Sequence, residues 1–189
     1  GLYGAASIHY FACFGRPECA TVPVNAIHPQ EAHTMTSKVE QRLQEIGVSI
    51  PDAPTPAANY LPFTRTGNLV FVSGQVPFVD GKLTVTGTVG KDASIEDAQG
   101  QAKVCAINLL AQLKVACDGD LDRVVQVVKL GAFVASADDF HSQPVVVNAA
   151  SDLMVAAFGD AGRHARFAVG SNALPLNCLV EIDGVFEIA

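Results

Sequence analysis

Between Arg123 and Val134 the chain carries Val124, Val125, Val127, Val128, Leu130 and Phe133. Side chains branched at Cβ pack well on a pleated surface. A run with no polar alternation is that of a strand covered on both faces. The neighbouring segments supply candidates for the cover. Ser94 with Asp97 three residues on is a helix-start signal, and Ala98, Ala102, Cys105, Leu109 and Leu113 then repeat at helical spacing, which predicts a long helix with one buried face. Downstream, Pro144 suits the first turn of a second helix that runs to about Phe158 and stops at Gly159.

The rest of the chain completes the pattern. Val39, Leu43 and Ile46 predict a short amphipathic helix from Ser37, ended by Gly47. Pro51, Pro54 and Pro56 enforce an extended connector. Phe63-Thr64-Arg65 and Leu69-Val70-Phe71-Val72, joined at Gly67-Asn68, read as two antiparallel strands, and a turn at Asp80-Gly81 opens a third over Lys82 to Val85. Two more strands, about 165–171 and 178–188, close the chain. The order is helix, three strands, long helix, strand, helix, two strands. It predicts an α+β fold with one mixed sheet and its two main helices on one face. The other face also needs cover, which self-association would supply.

Composition agrees with that need. Of 189 residues, 49% are hydrophobic and only 16% are charged, so little charge is left to clothe a monomer. No stretch approaches the roughly 20 uninterrupted apolar residues of a membrane-spanning helix. The net charge of -7, with basic residues scattered, speaks against nucleic acid as a partner. Cys105, Cys117 and Cys178 fall in predicted helix or strand, where thiols behave as small buried hydrophobes; with Cys13 and Cys19 the count is odd, so a reducing compartment, the cytoplasm, is expected. The spacings of Cys13, Cys19, His28 and His33 match no zinc-finger pattern.

Residues 1–34 contain no Lys and show no periodicity, and they lack the charged start and apolar run of a secretory signal. Met35-Thr36-Ser37-Lys38 reads like a natural start. The expected division is an N-terminal extension of unclear origin, 1–34, and a domain, 35–189.

Two charges stand inside apolar strands. Arg166 lies in Arg166-Phe167-Ala168-Val169-Gly170, and Glu181 lies in Leu179-Val180-Glu181-Ile182. Such residues are almost never buried unless paired. By strand alternation Arg166 goes with Ala168 and Gly170, opposite Phe167 and Val169, while Glu181 faces away from Val180, Ile182 and Phe186. Both charges are thus expected opposite the greasier face, the one a helix would cover, in one ligand pocket. A salt bridge that merely registers two strands is the plainer alternative.

Several separated motifs give the chain a resemblance. Pro56-Ala57-Ala58-Asn59-Tyr60, then Gly67-Asn68 with Ser73-Gly74-Gln75-Val76-Pro77, then Asn148, and finally Ala165-Arg166, Leu174-Pro175 and Val180-Glu181-Ile182 occur in order. Over roughly residues 57–188 the chain resembles the RidA family, also called YjgF or L-PSP, as a longer subgroup. The resemblance implies a chorismate-mutase-like α+β domain forming homotrimers, with ligand clefts between adjacent subunits. It also implies hydrolysis of reactive enamines and imines, such as 2-aminoacrylate, to 2-keto acids and ammonia without metal or cofactor.

In that family's terms Arg166 would clamp a substrate carboxylate through two parallel bonds. Glu181 would orient or activate water and relay protons. Main-chain groups at Gly74 and Ala168, the Ser73-Gly74-Gln75 turn, Tyr60 and Asn148 would line the cleft. His164 is either a proton shuttle or an ordinary histidine at a strand start. The chain departs from the family pattern with Phe167 where a small residue is usual, Ala168 where active deaminases often carry Cys, and Gly170 where Glu is frequent. An alternative implied by the same cleft is a trimeric protein that binds small carboxylates without turnover. A third, endoribonuclease or translation inhibitor, sits badly with the acidic chain.

Overall fold

The computed structural model describes residues 36–53 and 59–189. The proposed extension, the Cys13, Cys19, His28 and His33 set, and Pro54, Pro56, Ala57 and Ala58 lie outside them.

Helix α1 (Lys38–Glu45) starts at a capping box in which Ser37 and Glu40 satisfy one another's backbone N–H groups. Its next two free N–H groups, at Lys38 and Val39, donate to the Asp122 carboxylate at 3.0 and 3.1 Å. Val39 and Leu43 are buried, and Glu40, beside them on the helix, pairs with Lys114 of the long helix at 2.6 Å, so one side of the short helix is docked by apolar contact and an ion pair.

Strands β1 (Phe63–Thr66) and β2 (Leu69–Gln75) form a hairpin turned at Gly67, whose φ of 57° is a conformation that glycine adopts without steric cost. Helix α2 (Ile95–Ala116) is capped by the Ser94–Asp97 box. Strand β3 (Val124–Ala135), helix α3 (Gln143–Phe158) and strand β4 (Ala165–Ser171) follow as a β-α-β unit with β3 and β4 parallel. Strand β5 (Val180–Ile188) runs antiparallel between β2 and β3. The sheet order is β1-β2-β5-β3-β4, which leaves β4 on an edge.

Register sorts the side chains by face. Val70 pairs with Phe186, Ala132 with Ile182, and Val134 with Val180; all are buried with α2 and α3 in one core. The mixed sheet and its two helices on one face match the expectation. The alternate positions make the other face. There Phe71, Phe133 and Val169 are each exposed by 42–44%, beside Val185 and Phe167. So β3 is not covered on both faces by the described residues, because none of their elements crosses its outer side.

The third strand is also corrected. From Val76 to Ala93 the backbone is irregular, apart from isolated bridges of Val79 with Lys82 and of Val89 with Ala93 and Ser136. Its carbonyls are satisfied from above. Asn108 of α2 donates to the Val76 and Phe78 carbonyls, and Gln101 donates to Val85 while accepting from Leu179 N–H. Buried amides on a helix thus do the work of strand pairing.

Candidate functional site

The expected site residues fall into two groups. The first is on the edge strand. Because Leu130 pairs with Arg166 and Ala132 with Ala168 in the parallel ladder, Arg166 and Ala168 share the helix-covered face. The prediction that Arg166 turns away from the helices is therefore wrong. On an edge strand the apolar pair, Phe167 and Val169, occupies the open face, and the polar face is covered by hydrogen-bonding residues of α3. Asn148 and Ser151, one helical turn apart, receive the two hydrogens of Arg166 Nη1: Asn148 Oδ1 at 3.1 Å and Ser151 Oγ at 2.9 Å. Among the described residues no carboxylate pairs with this guanidinium. Anchorage through Nη1 alone leaves the Nε and Nη2 edge, the side that holds a carboxylate by two parallel bonds. His164, half-buried at the start of β4, accompanies this group with Nε2 3.1 Å from Ser151 Oγ.

The second group is on the open face. Glu181 pairs with Phe133 across the β3–β5 ladder and so projects from the uncovered side, as expected from its alternation with Val180 and Ile182. A β-bulge in β2 between Val72 and Gln75 makes room for it. Gly74, in that bulge, lies directly against the Glu181 carboxylate, where any Cβ would collide. Ser73 donates its hydroxyl to the Leu61 carbonyl at 2.8 Å and its N–H to Pro62, tying the segment that carries the exposed Tyr60 to the bulge. Burial raises the Glu181 pKa above the usual carboxylate value, and the neighbouring Asp183 carboxylate adds to the rise. That is the direction that suits a group exchanging protons near neutrality.

Arg166 and Glu181 therefore stand on opposite faces of one sheet, and among the described residues they form neither a shared pocket nor the plainer salt bridge. Nor do two clefts formed by the described residues hold them. One of about 360 Å³ is lined by Ile50, Pro51, Ala111, Lys114 and Asp118, and one of about 220 Å³ by Lys38, Arg42, Asp122 and Phe158.

Sequence reasoning missed three participants. Ser151 is readable as the residue three positions after Asn148 on the same helix face. Asp183 is readable from the strand period beside Glu181. The aromatic patch is not readable locally: Phe167 packs edge-on to Phe133 at 5.4 Å under the Lys129 ammonium, over Gly131, and β3 and β4 must first pair.

A five-stranded mixed sheet in the order β1-β2-β5-β3-β4, with two helices on one side, defines an α+β fold. The family described as "YjgF/chorismate mutase-like, putative endoribonuclease" matches residues 40–187, and the chain belongs to it. Protein TCP17 of Trypanosoma cruzi is 41% identical over 154 residues, 81% of this chain and 96% of that protein. The 2-iminobutanoate/2-iminopropanoate deaminase of Salmonella typhimurium is 32% identical over 138 residues, 73% of this chain and 94% of that enzyme. Among solved structures, the protein Atu1372 of Agrobacterium tumefaciens, described as of unknown function, is 50% identical with a TM-score of 0.76, covering 80% of this chain and 92% of that one.

Proposed function

We propose that the chain is a hydrolase of small enamine and imine metabolites carrying a carboxylate, 2-aminoacrylate among them, and that it works as a ring of subunits, a homotrimer by the family resemblance. Each cleft would join the Arg166 group of one subunit to the Glu181 group of the next. The observation that carries the reading is the Nη1-only anchorage of Arg166, which presets a half-buried cation with a free bidentate edge and no acidic partner among the described residues. Support for a composite cleft is the apolar open face, which a second copy would bury, and the separation of the two groups onto opposite faces.

The chemistry is then direct. An enamine tautomerises to an imine, and a proton taken up from solvent makes it an electrophilic iminium. Arg166 grips the substrate carboxylate, and Asn148 and Ala168 line that end. Glu181 takes a proton as water adds to the iminium carbon and returns it to nitrogen as the C–N bond breaks, giving a 2-keto acid and an ammonium ion. Gly74 leaves room for the carboxylate, Ser73 holds the bulge, and Tyr60 sits at the mouth. Positioning and proton transfer supply the acceleration. The deaminase named among the relatives agrees with this chemistry. The buried free thiols of Cys105, Cys117 and Cys178 agree with a cytoplasmic setting.

One observation favours a second reading, a small-carboxylate binder without turnover: Arg166, Asn148 and Ser151 meet within one chain, whereas Glu181 lies on the opposite face of the sheet. The assay generates 2-aminoacrylate or a longer imine in situ and follows its loss for the native chain and Arg166→Ala. Faster loss that disappears in the variant supports the hydrolase. No acceleration at any side-chain size, with measurable carboxylate binding, supports the binder.

A further inference from the structure

Behind the anchored Nη1 of Arg166 runs a directed chain of hydrogen bonds that gripping a carboxylate does not by itself require. It begins at the Gly162 carbonyl. A carbonyl only accepts, so His164 Nδ1 carries a proton and donates to it across 2.6 Å. With the ring neutral, Nε2 is the bare nitrogen and accepts the Ser151 hydroxyl proton at 3.1 Å. Ser151 has one hydrogen. Once that is committed, its oxygen turns only lone pairs toward Arg166 Nη1, which donates at 2.9 Å. All donors point one way, and each bond polarises the next.

Two local features build the chain. Gly162 packs so closely on α3 that a Cβ there would meet the Met154 carbonyl, which brings the turn, and the ring two residues on, against the helix. A serine inside a helix otherwise bonds back to the carbonyl four residues earlier, here that of Val147. The imidazole holds the Ser151 hydroxyl away from that alternative.

We propose that His164 and Ser151 are positioning residues of the anion grip. His164 sets the direction of the Ser151 hydroxyl, and Ser151 with Asn148 fixes the guanidinium so that its Nε and Nη2 edge meets the substrate carboxylate. This rests on the reading of Arg166 as that grip. His164 acts through Ser151 and moves no proton of the substrate, so its loss weakens binding rather than the chemical step.

The test uses the full chain in two measurements. Long-range ¹H–¹⁵N correlations of the ligand-free protein, with His164 identified by the signals that vanish in His164→Asn, read the tautomer directly. The expected result is protonated Nδ1 with Nε2 bare, and a proton on Nε2 of the neutral ring overturns the proposal. Calorimetry with 2-ketobutanoate, alongside kinetics on an imine made in situ, reads the grip. Asparagine keeps a donor for Gly162 but offers Ser151 no acceptor, whereas glutamine restores an acceptor near Nε2. His164→Asn and Ser151→Ala are expected to weaken Kd and raise KM about 5- to 10-fold with kcat little changed, the size of one ordinary hydrogen bond. His164→Gln and Ser151→Thr are expected within about 2-fold of native on the same scale. A kcat loss at unchanged KM in His164→Asn, or native binding in both disrupting variants while Arg166→Ala binds poorly, overturns the positioning role. If instead Arg166→Ala binds normally, the reading of Arg166 fails, and the tautomer still reports whether the relay exists.

Discussion

Replacing Gly74 with Ala tests the acid–base half of the cleft with the smallest change available. The added Cβ would stand 3.2 Å from Glu181 Cδ and nearer still to Oε1. Ordinary carbon contacts begin near 3.5 Å, so the carboxylate must retreat by roughly 1 Å. The retreat itself is inexpensive. Gly74 does not sit at positive φ, and the group it strikes is the far end of a flexible side chain, so the loss of stability is expected at about 1 kcal/mol or less. Catalysis should feel it far more, because displacing a reacting group by about 1 Å costs on the order of 100-fold in rate. Steady-state kinetics on an imine generated in situ should therefore show kcat falling about 100-fold for Gly74→Ala while the thermal midpoint moves by only about 1–4 °C. Activity within about 3-fold of native would refute the placement of Glu181 beside the reacting atoms. A collapse of the thermal midpoint would refute the claim that only the carboxylate has to move.

Three further outcomes are expected. Glu181 must be ionised to take a proton from water, and burial and Asp183 both raise its pKa, so the acid limb of kcat/KM should lie above the ordinary carboxylate value of 4.5; Asp183→Asn removes one cause and should shift that limb to lower pH, and a limb that stays put contradicts the coupling. Phe133→Glu puts a charge at the centre of the open face and should convert the assembly to monomers in light scattering behind size exclusion, whereas an unchanged mass would show that this face is not the contact. Asp122→Ala leaves the first two N–H groups of α1 without an acceptor, which should cost about 1–2 kcal/mol in urea unfolding, with a negligible change refuting the docking of α1 through its N-terminus.

Much of the architecture is legible in residues that act locally. Ser94 and Asp97 start α2, Pro144 and Gly159 bracket α3, and Gly67 turns the first hairpin, because caps and turns are decided within a few residues. Alternation also separates Arg166 from Phe167 and Glu181 from Ile182. What alternation does not reveal is which side a helix will cover. On β5, a central strand, the greasier side faces the core. On β4, an edge strand, the core side is the one with Arg166, because Asn148 and Ser151 satisfy its guanidinium there while Phe167 and Val169 wait on the open face. Lys82 to Val85 fails for a related reason. Its alternation fits a strand, but Gln101 and Asn108, more than fifteen residues away, take the carbonyls of the surrounding segment first. The candidate residues are thus legible one by one, and their division between two faces emerges only from the ladder.

The composite cleft is the claim on which the functional reading stands, and subunit complementation measures it. Arg166→Ala and Glu181→Gln chains, each inactive alone, are co-expressed in equal amounts and assayed as mixed assemblies. In a head-to-tail ring each cleft takes its arginine from one subunit and its carboxylate from the next, so about a quarter of randomly assembled clefts are intact. Close to a quarter of native activity is expected from the mixture, and a mixture as inactive as its two parents would contradict the composite cleft.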